Sequence, residues 1–199
     1  MRRSGYVLMT LLAAVLFAAL FIATALAGPR PRLVWNASAS APIGLYRLSA
    51  VSHPAVGMLV VIVPPMSLAR FLDERRYLPI GVPLLKHVAA RPGARICRFG
   101  ARVTIDGHVA AVALSRDTRG RLLPRWRGCR TIAAGQLFVL NAAADSMDGR
   151  YFGPIPASGL IGRATPILTR DAPGAPLRWR GIGVAAASSS SKKGHSACR

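Results

Sequence analysis

Lys86 stands in the apolar run Val82-Pro83-Leu84-Leu85-Lys86-His87-Val88 of a chain that otherwise writes its positive charge as arginine. Of 27 basic residues only three are lysines, and the other two, Lys192 and Lys193, lie near the C-terminus. Arginine cannot lose its proton at useful pH, whereas a lysine amine desolvated among Leu and Val can have its pKa lowered by several units and act as a neutral base. Two readings of Lys86 stand at this point: a general base, or a lysine at a strand end whose stem packs while its amine reaches water. His87 would face the other side of such a strand and is read as structural.

A neutral lysine needs a nucleophile to activate. In Trp35-Asn36-Ala37-Ser38-Ala39-Ser40-Ala41-Pro42-Ile43-Gly44-Leu45-Tyr46 two serines alternate among small residues that would let a peptide backbone approach, and a Pro-x-Gly turn follows. Taken alone, the segment also reads as an ordinary polar loop. A third stretch, from Asn141 to Pro156, follows an apolar run and holds Asp145 and Asp148, two of only seven acidic residues. Asp148 and Arg150 read as a salt-bridged turn.

These three stretches resemble, in order and spacing, the boxes of the S26 signal peptidases, and most closely their conjugative-transfer, pilin-processing (TraF-type) branch. Asn36-x-Ser38-x-Ser40-x-Pro42-x-Gly44-x-Tyr46 is similar to the nucleophile box. Lys86-His87-Val88 with Pro92-Gly93 is similar to the lysine box. Ser146-x-Asp148-x-Arg150 with Gly153-Pro154-x-Pro156 and Gly162-Arg163-Ala164 is similar to the C-terminal box. The chain departs from the housekeeping pattern at Ala41, where Met is usual, at Ala94 in place of Asp, and at Gly149 in place of Ser.

The resemblance implies a serine endopeptidase with a signal-peptidase-like catalytic β-domain. Ser40 would attack the scissile carbonyl, neutral Lys86 would take its proton, and an acyl-enzyme would form. The Ser40 amide and Ser38 hydroxyl would serve as oxyanion donors, Ser146 would hydrogen-bond the lysine amine, and Asp148 with Arg150 would brace that loop. The implied substrate is a protein precursor with small residues near its cleavage site, released by water or, in the transfer branch, by its own amine to give a cyclic pilin. Other secretion-system proteins are implied as possible partners. A general leader peptidase and a non-enzymatic secretion-system subunit remain as alternatives.

The elements that must position these residues follow from pattern. Residues 6 to 27 carry no charge and would span about 33 Å as a helix, enough for the bilayer hydrocarbon. Ala25-Leu26-Ala27 before Gly28 has the form of a cleavage site, but the apolar stretch is long for a signal peptide, which favours an uncleaved anchor. Arg2 and Arg3 keep the N-terminus in the cytoplasm. The expected arrangement is a single-pass protein of the inner membrane: anchor over 1–27, periplasmic peptidase domain over 28–180, and a disordered Ala/Ser/Gly/Lys tail over 181–199. At 199 residues the chain suits one such domain.

The remainder reads as mainly β. Strands are expected within 56–63, at 137–140 and over 159–168, and a hairpin joins 102–105 to 108–112 through Asp106-Gly107. A short helix is expected from Ser67, as N-cap, to about Tyr77, ended by Pro79, and an exposed loop over 115–130. Cys97 and Cys129 form a possible disulfide closing a loop of about 30 residues, leaving Cys198 unpaired. Three cysteines and four scattered histidines make no zinc pattern, so no metal and no cofactor are expected. The net charge of +20 is spread as scattered arginines with no nucleic-acid-binding motif. The expected consequence is attraction to anionic membrane lipids rather than to nucleic acid.

Overall fold

A computed structural model of the chain describes residues 3–26 and 33–181. The expected C-terminal tail beyond residue 181, and most of the connector after the anchor, lie outside these residues. Two units are distinguished, one on either side of residue 32.

The first is helix α1, Arg3–Leu26. Its stretch Gly5–Thr24 has a mean hydropathy of 2.6 and is long and apolar enough to cross a membrane. Apolar residues occupy its whole circumference, as a lipid-facing helix requires.

The second unit is mainly β, with every strand pairing antiparallel. β1 (Leu33–Asn36), β2 (Ile43–Ser49), β3 (Leu59–Ile62), β4 (Leu84–Ala90), β9 (Gln136–Leu140), β10 (Ile155–Pro156) and β11 (Leu160–Arg170) form one sheet in the order β1-β2-β11-β3-β4-β9-β10, with β12 (Arg178–Trp179) also on β11. A second sheet takes β5 (Arg95–Phe99), β6 (Arg102–Ile105), β7 (His108–Val112) and β8 (Gly128–Thr131) in the order β7-β6-β5-β8.

The unbroken apolar run at β3 is explained by burial on both faces. Val60 and Ile62 pack with Leu72, Leu84, Val88, Leu137 and Val139 on one side, and Val61 packs with Tyr46 and Ala164 on the other. A further core joins the two sheets: Ala90, Phe138 and Leu140 meet Ile96, Val103 and Ile132. In the β6–β7 turn Asp106 and Gly107 have φ of 48° and 84°, the pair of positive values that a two-residue hairpin turn needs. The Sγ atoms of Cys97 and Cys129, directly opposite each other on β5 and β8, are bonded.

Helix α2 runs Met66–Glu74, and Pro65, not Ser67, is its N-cap, with no side-chain cap. Pro65 enters the helix by its carbonyl, which accepts from the Ala69 amide, leaving Ser67 inside the first turn. The helix also stops before Tyr77. Arg76 turns left-handed at φ 55°, and the amides of Tyr77 and Leu78 both donate to the Leu72 carbonyl, so chain reversal rather than Pro79 ends it. The expected loop over 115–130 contains a bridge between Arg116 and Leu122 and gives way to β8 at Gly128.

Candidate active site

The loop between β1 and β2 carries Ser38 and Ser40, and its shape is set by Asn36. One Asn36 amide nitrogen donates to the carbonyls of Ser38 (2.8 Å), Ala41 (3.1 Å) and Pro42 (3.1 Å), while Oδ1 accepts from the Ser38 amide at 3.1 Å. Buried Tyr46 donates its hydroxyl to the Pro42 carbonyl, and its pKa is pushed up to about 12, chiefly by burial. Gly44 ties the loop to the sheet. It has φ +145°, and a Cβ there would lie 2.1 Å from the Leu168 carbonyl oxygen, so only glycine lets β2 and β11 approach this closely.

β4 alternates strictly, with Leu84, Lys86, Val88 and Ala90 buried. The pattern that buries Leu84 and Val88 therefore buries the amine as well, and Lys86 is 4% exposed. Its Nζ donates to Ser146 Oγ at 2.7 Å and lies 3.4 Å from Ser40 Oγ. Among the described residues no carboxylate forms an ion pair with it. Desolvation is the main cause that lowers its pKa, to about 8, with Arg150 adding to the effect and Asp148 and Asp145 opposing it. About a tenth of the amine is then neutral at pH 7 and about half near pH 8.

Asp148 and Arg150 form a buried pair, Nε to Oδ1 at 2.8 Å. Asp148 also accepts from the amides of Asn141 (3.0 Å) and Arg150 (3.1 Å). Arg150 further donates to the carbonyls of Ala144 and Asn141, so the pair folds the 141–148 segment that presents Ser146. Arg98, from the second sheet, is buried and donates to the Arg150 and Pro124 carbonyls.

The five residues singled out around Lys86 thus come to one place: Ser38, Ser40 and Ser146 within hydrogen-bonding reach of the amine or of each other, and Asp148 with Arg150 behind them. The Ser40 amide donates to Ser38 Oγ at 3.3 Å, and the two hydroxyls lie 3.1 Å apart. The expected oxyanion donors therefore face each other here. Sequence reasoning gave no task to Asn36 or Asn141. Asn141 is 4% exposed, and its Nδ2 reaches Ser40 Oγ at 3.3 Å. The available signal was position: each is an amide at or just past the end of a strand, inside a box already under suspicion.

A cavity of about 560 Å³ opens beside Ser40 and Lys86, lined by Val34, Trp35, Leu72, Tyr77, Leu78, Val82, Leu84 and Met147 along with both serines of the loop. Such a groove, apolar with a few convergent polar groups, suits a peptide substrate.

Residues 4–169 match the family model described as signal peptidase, peptidase S26. The chain is 38% identical over 148 residues to the conjugal transfer protein TraF of Agrobacterium fabrum, covering 68% of this chain and 82% of that protein. It is 40% identical over 144 residues to a probable conjugal transfer protein TraF of Sinorhizobium fredii, covering 67% and 76%. The crystal structure of a signal peptidase I from Enterococcus faecalis matches at a TM-score of 0.36 and 18% identity, covering 58% of this chain and 100% of that one, a likeness from which nothing about the site follows. On the family match, which spans most of its length, this chain belongs to the S26 signal peptidases.

Proposed function

We propose that the chain is a membrane-anchored serine endopeptidase in which Ser40 is the nucleophile and Lys86 the general base, and that it processes the pilin precursor of a conjugative transfer system. The observation that carries the chemistry is the buried Lys86 amine, 3.4 Å from Ser40 Oγ and held by Ser146. Ser40 Oγ attacks the scissile carbonyl as its proton passes to Lys86 Nζ, and that proton then goes to the leaving amine. The resulting ester is opened by water, or by the amine at the other end of the same substrate, which releases Ser40 and closes a cyclic product. Ser38 and the Ser40 amide exchange their mutual contact for the oxyanion, and Asp148 with Arg150 keeps Ser146 against the lysine.

Among the described residues β1 is an edge strand bonded only to β2, and it borders the cavity, so an extended substrate segment can add to it as a further strand. The conjugation reading is supported by the similarity to the named conjugal transfer proteins. With α1 in the inner membrane and its N-terminus cytoplasmic, the peptidase domain works on the periplasmic side, where an exported precursor arrives.

The test replaces Ser40 with Ala and Lys86 with Arg separately and follows the size of the pilin precursor in cells. Accumulated precursor in both is expected, and normal processing in both would overturn the dyad. The mass of the wild-type product then separates hydrolysis from cyclisation, which leaves it one water lighter. If the pilin precursor stays intact while exported secretory proteins are matured by this chain, the general leader peptidase reading replaces the pilin one.

A further inference from the structure

We infer that Asn141 acts directly on the nucleophile, donating from Nδ2 to Ser40 Oγ and so directing the serine hydrogen toward Lys86, and that His87 fixes the amide in that orientation. This rests on the reading of Ser40 as nucleophile.

The orientation of the Asn141 amide is dictated by two backbone groups that have no choice of role. The His87 N–H can only donate, and Oδ1 lies 3.2 Å from it; the Leu85 carbonyl can only accept, and Nδ2 lies 3.1 Å from it. Flipping the amide would set donor against donor and acceptor against acceptor in a buried place, where an unmade hydrogen bond is costly. With one Nδ2 hydrogen on Leu85, the second faces Ser40 Oγ at 3.3 Å. His87 Nδ1 lies 3.1 Å from Oδ1. Since Oδ1 accepts, the imidazole carries a hydrogen on Nδ1. The two residues flanking Lys86 therefore hold the amide that touches its partner serine.

The backbone of Asn141 is equally fixed. Its N–H donates to Asp148 at 3.0 Å, and its carbonyl accepts from Arg150. Ser40 Oγ has one hydrogen and two lone pairs. With Asn141 Nδ2 on one lone pair and the Ser38 hydroxyl, 3.1 Å away, able to donate to the other, the hydrogen is left for Lys86, and the Asn141 donor strengthens as negative charge builds on Oγ. The same contact serves again when Oγ leaves the acyl-enzyme. An interaction gained in the transition state lowers kcat when it is removed, with little effect on KM.

The experiment uses the full chain in detergent and an internally quenched peptide with Ala-x-Ala before the scissile bond, with wild type and S40A as references and rates read on the alkaline plateau of the pH profile. Asn141→Ala removes the amide. Asn141→Asp keeps its volume and the acceptor for His87 but not the donor, and covers the case in which the alanine variant folds poorly. Both should lose about 10-fold in kcat with KM changed less than about twofold. His87→Ala should lose about threefold in the wild-type background and nothing further in N141A, because it acts through that residue. A dead S40A with wild-type kcat in N141D, or with losses confined to KM, would overturn the inference. An S40A enzyme that still cleaves at the wild-type rate would overturn the Ser40 reading instead.

Discussion

Lys86 Nζ and Ser146 Oγ are joined at 2.7 Å in a place that neither side chain shares with solvent. Because the neutral amine spends one of its hydrogens on Ser146, its single lone pair is left for Ser40. In the proposed mechanism the contact orients the amine, and it makes the proposed base testable apart from the proposed nucleophile.

If neutral Lys86 is the base, kcat/KM rises tenfold per pH unit on the acid side and levels off above about 8, the value set mainly by burial of the amine. Lys86→Arg, protonated throughout, should be inactive across the whole range. A profile that is flat from pH 6 to 9 would exclude this lysine.

The same shift has a consequence for stability. The folded-state pKa of about 8 lies below the ordinary 10.5, so between these values the unfolded chain binds the extra proton and stability grows with pH. Lys86→Met, without that titration, should melt above wild type at pH 7, and the gap should close as pH rises from 8 to 10.5. Thermal unfolding followed by circular dichroism checks it. A gap independent of pH would show that the burial penalty is absent.

Removing the hydroxyl at Ser146 frees the amine to rotate. Ser146→Ala should lower kcat about 10-fold while KM stays nearly constant, the cost of one hydrogen bond to the base. Steady-state kinetics decide it, and unchanged kcat would leave Ser146 a packing residue.

Asp148 is wholly buried against Arg150. Asp148→Ala strands a guanidinium and the Asn141 amide, so it should cost about 3 to 5 kcal/mol in urea unfolding. A loss below about 1 kcal/mol would mean that water reaches the pair.

Gly44→Ala should destabilise at least as much as a core cavity, because the new methyl would meet the Leu168 carbonyl oxygen at 2.1 Å. The loop that carries Ser38 and Ser40 ends two residues earlier, so processing of substrate should fall with stability. Calorimetry and the peptide assay together check both effects, and wild-type melting would show that β2 and β11 can part.

Lys86 was legible because it broke a local habit, a lysine in an arginine-rich chain; the serines and the Asp148–Arg150 turn are ordinary loop residues when taken alone, and only the order and spacing of the three boxes singled them out. The hairpin at Asp106-Gly107 and the apolar helix were legible from local chemistry alone. β2 and β5 were not, since Ile43-Gly44-Leu45-Tyr46-Arg47 and Arg95-Ile96-Cys97-Arg98-Phe99 mix the exposed and buried faces of half-covered strands. The strand order was out of reach for another reason: β2 pairs with β11, Ser49 opposite Arg163, and no local pattern records a partner so distant in sequence. Asn141 is a case of the same kind. An amide declares its task only through what stands across from it.

Arg98 belongs to the smaller sheet, yet it ends on the carbonyl of Arg150. That sets a floor on miniaturisation. A shortened chain that dispensed with β5 to β8 would discard the prop beneath the segment that presents Ser146, so any attempt to graft the proposed chemistry onto a smaller scaffold must first supply a substitute for one guanidinium.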